Sequence, residues 1–94
     1  MDWKIEVQPS ARVQLRSLPD LIRHEIAEVI DDLRRDPFPS DSIRLEGFRD
    51  LYRIRVSVYR VVYRVSEKRR LVLIERVRPR RDVYSGLEPK KDLP

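Results

Sequence analysis

The chain has 94 residues, no cysteine, one histidine and a net charge of +5. That length allows one small domain with a modest core. The cysteine count excludes disulfides and thiolate metal sites, and a lone imidazole, His24, excludes a histidine-rich metal or catalytic cluster.

Trp3-Lys4-Ile5-Glu6-Val7 alternates apolar and charged residues and predicts a first strand, stopped by Pro9. Ser10 to Arg16 predicts a short helix that offers Val13 and Leu15 for packing. Ser17-Leu18-Pro19-Asp20 reads as a second helix start: a capping serine, a proline in the first turn and an acid near the positive end of the dipole. The helix is expected to run to about Arg35. Ile22, Ile26, Val29, Ile30 and Leu33 recur at spacings of three and four, which marks one buried stripe. Arg34 and Arg35 suit its C-terminus, and Pro37 and Pro39 forbid continuation.

After a loop through Ser42, strands are predicted at about 50–56, 58–65 and 71–78, with connections short enough for an antiparallel meander. Side chains alternate across a strand, so Arg53 and Arg55 share one face while Tyr52, Ile54 and Val56 share the other. In the next strand Tyr59, Val61, Tyr63 and Val65 oppose Val58, Arg60, Val62 and Arg64. Leu71-Val72-Leu73-Ile74 is apolar on both faces, which predicts a central strand. The fold class that follows is α+β, a single small domain in the order β-α-α-β-β-β. A helical hairpin packs on one face of a mainly antiparallel four-stranded sheet, and residues 89–94 form a loose tail. No apolar run approaches the roughly 18–20 residues that span a bilayer. No secretory leader is expected either, so the expectation is a soluble, cytoplasmic protein with no membrane partner.

Charge is concentrated. Residues 1–42 carry 6 Lys/Arg against 9 Asp/Glu, whereas residues 43–84 carry 13 against 5. Arginine supplies 17 of the 21 basic residues, and its guanidinium grips phosphate through two parallel hydrogen bonds and stacks on bases. The arginine-bearing sheet face is therefore a candidate polyanion surface, with Arg53, Arg55, Arg60 and Arg64 on strands and Arg80, Arg81 and Tyr84 after the last one. Trp3, Tyr52, Tyr59 and Tyr63 read as packing residues, and His24, beside Glu25, as a surface residue on the second helix.

The segments Arg44-Leu45-Glu46-Gly47, Asp50-Leu51-Tyr52-Arg53-Ile54-Arg55-Val56, Tyr59-Arg60-Val61-Val62-Tyr63-Arg64-Val65 and Arg80-Arg81-Asp82-Val83-Tyr84 together resemble the RelE/ParE toxin superfamily of toxin–antitoxin systems. The element order resembles that fold along almost the whole chain, which makes residues 1–88 a RelE/ParE-like toxin domain. The resemblance to the RelE-like branch implies a ribosome-dependent mRNA endoribonuclease that acts in the decoding site, inhibits translation and is neutralised by a cognate antitoxin in a hetero-oligomer. It implies that Arg53 and Arg55 contact RNA around the scissile phosphate; Arg81 and, farther along its strand and peripheral, Arg64 are read as further RNA-binding residues. The resemblance also implies that Arg60 stabilises the transition state, that Arg80 protonates or balances the leaving oxygen, and that Tyr84 stacks on a base. Arg81 takes the role of Arg80 if the turn differs by one residue.

Such a reaction needs no metal or other cofactor, because the attacking 2′-hydroxyl belongs to the RNA and guanidiniums stabilise the added negative charge. RelE-like enzymes often carry lysines where this chain has Arg53 and Arg55, and a guanidinium does not accept a proton near neutral pH. No Glu or His clearly replaces those lysines as the base: Glu75, on the last strand, could reach the site, with its face left open, and otherwise either the base comes from the RNA or the ribosome or efficient cleavage is lost. The turn at Ser57-Val58 departs from a Gly-Asp-like turn common in the family. Two other functions remain: a ParE-like inhibitor of DNA gyrase, and a non-catalytic RNA-binding domain. The antitoxin is expected to be an amphipathic segment that folds on the toxin and brings acidic charge to the arginines.

Overall fold

The structure, a computed structural model, describes residues 2–79. The elements are β1 (Lys4–Val7), α1 (Pro9–Arg16), α2 (Asp20–Leu33), β2 (Ser42–Arg44), β3 (Leu51–Val56), β4 (Tyr59–Ser66) and β5 (Leu71–Pro79). They form a five-stranded sheet in the order β1-β5-β4-β3-β2, with β1 parallel to β5 and every other pair antiparallel. The sheet thus has one strand more than the four expected. Ser42-Ile43-Arg44 is too short to show an alternation of its own, and it becomes a strand because the edge of β3 offers it partners: Ile43 lies opposite Arg53 and Arg44 opposite Tyr52. β5 is interior but not central; β4 holds the centre.

Both helices lie on one sheet face. Ala11, Ile26, Ile30 and Leu33 pack with Ile54, Val56, Val61, Tyr63, Val65, Val72, Ile74 and Val77 into the main core. Burying an isoleucine as completely as Ile26 contributes roughly 2–3 kcal/mol. The face alternation predicted for β3 and β4 is therefore the observed one. Ser17 has a different role from the one expected. Its N–H and hydroxyl both donate to the Gln14 carbonyl, so it closes α1, and the residue before α2 is Pro19 with no side-chain cap. One short connection joins the helices, and the serine serves the helix that ends there.

An aromatic ladder crosses the core edge. Trp3 meets Phe38 edge-on at 6.2 Å, Phe38 meets Tyr52 at 5.2 Å, and Tyr52 stacks on Tyr63 at 5.8 Å. The Arg70 guanidinium sits 4.3 Å from the Trp3 ring centre, a cation–π contact. The Tyr63 hydroxyl, fully buried, donates to the Pro37 carbonyl at 2.9 Å and ties the end of the helical layer to the central strand. Burial is the main cause that pushes its pKa up to about 12.

Candidate functional site

The second sheet face is covered at one end, where Leu45 and Phe48 fold over Leu51 and Val62. The rest of it carries the arginines, and strand register decides their arrangement. On β3 and β4, Arg55 is directly opposite Arg60, and Arg53 is opposite Val62. On β4 and β5, Arg60 is opposite Arg78 and Val62 is opposite Arg76. Arg55, Arg60 and Arg78 thus form one continuous row across three strands, with Arg53 and Arg76 flanking Val62 in the next.

Arg76 and Arg78 were missed by the sequence reading, and a β-bulge explains why. Tyr63 pairs with Ile74 while Val62 pairs with Arg76, so Glu75 is an extra residue on β5. Without it, strict alternation would send Arg76 and Arg78 to the helix side with Val72 and Ile74. With it, the phase flips: Val77 is buried in the core and Arg76 and Arg78 join the arginine face. The signal was present in the spacing of Val72, Ile74 and Val77, which steps by two and then by three.

The other expected residues separate. Arg55 is exposed, Arg53 and Arg78 are half-buried, and Arg60, at 4 % exposure, is the one buried charged residue among the described residues. Arg64 is held by Asp50 at 3.0 Å and lies 3.7 Å from Glu75, with its side chain 12 % exposed. Those two carboxylates give it a bracing position within the sheet. Glu75, considered as a base, is engaged by Arg64 and by the Gln8 amide, which donates to it at 3.3 Å. His24 is exposed on α2, on the layer that covers the opposite face. Arg80, Arg81 and Tyr84 lie outside the described residues.

Like charges directly opposite one another on a sheet repel, and no carboxylate among the described residues pairs with Arg53, Arg55 or Arg78. Arg55 and Arg78, on either side of Arg60, are therefore open to a bound anion. Chemically, the row can hold phosphate oxygens and stabilise added negative charge. It cannot take a proton, because guanidiniums stay charged. Among the described residues there is no group of three or more His, Cys, Asp or Glu side chains able to hold a metal ion, and no helix is long and apolar enough to cross a membrane.

This fold has relatives. The model of the ParE toxin of type II toxin–antitoxin systems matches residues 5–84. A curated protein of Methanocaldococcus jannaschii, provisionally named toxin RelE1, is 28% identical over 89 residues, which is 92% of this chain and 99% of that one. The toxin in the archaeal RelE–RelB complex of Pyrococcus horikoshii is 34% identical with a TM-score of 0.77, over 86% of this chain and 98% of that one. A chain of the Mycobacterium tuberculosis toxin–antitoxin complex RelBE2 is 27% identical with a TM-score of 0.73, over 85% and 100%. The two-helix, mostly antiparallel five-stranded architecture is that of RelE toxins, and the chain belongs to the RelE/ParE family of toxins of type II toxin–antitoxin systems.

Proposed function

We propose that this toxin is a ribosome-dependent mRNA endoribonuclease and that the row Arg55–Arg60–Arg78 is its phosphate site. The observation that carries the reading is the register that brings three guanidiniums into line across β3, β4 and β5. In the reaction the 2′-oxygen of one nucleotide attacks the adjacent phosphorus and the bond to the 5′-oxygen of the next nucleotide breaks. A 2′,3′-cyclic phosphate and a free 5′-hydroxyl result. Arg60, desolvated by burial, stabilises the charge added at phosphorus, where a fixed donor acts most strongly. Arg78, opposite it, shares that task, and Arg53 and Arg55 grip the flanking backbone. Arg80 balances the leaving oxygen and Tyr84 stacks on a base, with Arg81 a further backbone contact. Arg64 supports the face rather than the RNA. Since none of the arginines accepts a proton, the 2′-hydroxyl proton leaves to a group of the RNA, the ribosome or solvent, and the leaving 5′-oxygen takes up a proton from the same sources.

The cognate partner is a RelB-like antitoxin, the kind of partner present in the complexes of the relatives. It brings acidic charge to the arginine face. The test is primer extension on translated mRNA after induction. Wild type is expected to leave ribosome-dependent cuts, which Arg60→Ala and Arg78→Ala abolish. Cuts that persist in both variants would discard the site. A second reading, inhibition of DNA gyrase, is favoured by the matched ParE description. It stands if purified wild-type protein blocks supercoiling and leaves translated mRNA intact.

A further inference from the structure

Three contacts converge on the bulge of β5, and all come from one short helix and its leading residue. The Gln8 N–H donates to the Ile74 carbonyl at 2.9 Å, and the Gln8 side-chain amide donates to Glu75 Oε1 at 3.3 Å. The Val77 N–H donates to Gln14 Oε1 at 2.7 Å. β1 pairs with β5 only as far as Ile74. Past that point no strand among the described residues lies beside the outer edge of β5, and α1 takes the place of one. On the inner side Arg64, itself anchored to Asp50, reaches Glu75. The extra residue is thereby gripped from both edges of the strand, between Ile74 and Val77.

A bulge bends and twists its strand, so it controls where the following side chains aim as well as which face they occupy. We propose that Gln8, Gln14 and Glu75 are positioning residues, a clamp that fixes this bulge and with it the aim of Arg78 at Arg60. The inference rests on the phosphate-site reading for its effect on the reaction, while the clamp itself is measurable without any reaction. None of the three touches RNA. They act through Arg78, two residues beyond the bulge at the row where phosphate binds.

Deleting Glu75 makes a clean variant, because the remaining pairing (Ile74 with Tyr63, Arg76 with Val62, Val77 with Val61, Arg78 with Arg60) then proceeds without interruption. Every remaining side chain stays on its face; the bend is lost together with the Glu75 contacts to Gln8 and Arg64. Gln14→Leu removes the acceptor at Val77 with little change in size. In the full-length protein, loss of that hydrogen bond is expected to speed Val77 amide exchange about fivefold or more while β4 amides stay protected. The Arg78 Nε–H resonance is expected to move in both variants. With translating ribosomes, both variants are expected to cleave roughly 10- to 100-fold more slowly at saturation. Half-saturation stays unchanged, whereas Arg53→Ala raises it. Glu75→Gln, which still accepts from Gln8, is expected to recover most of the rate lost in Glu75→Ala. An unmoved Arg78 resonance in the folded variants overturns the clamp. Wild-type protein that cuts no mRNA overturns the nuclease reading instead, and the two spectroscopic measurements then decide the clamp alone.

Discussion

Arg60 and Arg78 stand directly opposite each other on β4 and β5, one buried and one half-buried, with Arg55 completing the row on β3. Neither Arg55 nor Arg78 has a carboxylate partner among the described residues, and like charges placed opposite one another on a sheet repel. Removing an outer charge is therefore expected to trade function for stability. Arg55→Ala or Arg78→Gln should leave the fold unchanged or stabilise it by about 0.2–1 kcal/mol. Each should also weaken RNA binding and reduce the slope of log affinity against log salt by about 0.7 for single-stranded RNA. Urea unfolding and binding titrations over a salt series read the two effects separately. A destabilised Arg55→Ala would show that the row is structural.

Arg64 should behave in the opposite way. It is braced by Asp50 and Glu75, so Arg64→Ala leaves two half-buried carboxylates without their cation. A loss of about 1–3 kcal/mol in unfolding free energy is expected, reduced from the cost of breaking a fully buried pair because all three side chains keep some solvent contact. The folded fraction should bind RNA close to wild type. An affinity loss as large as that of Arg53→Ala would make it a direct contact.

Tyr63→Phe removes the donor to the Pro37 carbonyl without changing the packing of the ring. The expected cost is about 1–3 kcal/mol, because the buried carbonyl loses its partner. Tyr63 also predicts an alkaline limb. Its folded pKa is raised to about 12 from 10.0, so between these values the unfolded chain gives up the proton while the folded chain keeps it. This contribution is complete below pH 10 and is lost as pH rises toward 12, amounting to roughly 2–3 kcal/mol. Urea titrations of wild type and Tyr63→Phe should converge by that amount across the interval; parallel curves would contradict it.

The β3–β4 hairpin turns through Ser57 with φ +57°, a left-handed conformation in a non-glycine residue. Ser57→Gly is expected to stabilise the hairpin by up to about 1 kcal/mol, and Ser57→Val to destabilise it by a similar amount or more. Thermal unfolding of the three proteins in one buffer gives the order directly.

The faces of β3 and β4 were legible because Leu51 to Val56 and Tyr59 to Val65 alternate without interruption, and a period of two leaves only one way to bury the apolar set. The helix stripe through Ile26, Ile30 and Leu33 was legible for the same kind of reason. Arg76 and Arg78 were hidden because the alternation breaks at Glu75, and a broken period can be read as either face until a neighbour fixes the register. β2 was hidden because three residues carry no period. The partners of Arg64 could not be read at all: Asp50 and Glu75 are 14 and 11 positions away, and only the pairing of three strands brings them together. Ser17 carried a true capping signal whose direction was ambiguous between two adjacent helix ends.

Trp3 is the single tryptophan of the chain, and it sits against Phe38 and beneath Arg70 on the helix side of the sheet. Its fluorescence is therefore a built-in gauge of how well the first strand is seated. A red shift in its emission reports departure of β1 from the body of the protein. An anion settling among the arginines lies across the full thickness of the sheet from the indole, so any change in its emission on RNA binding would have to be transmitted through the strands themselves.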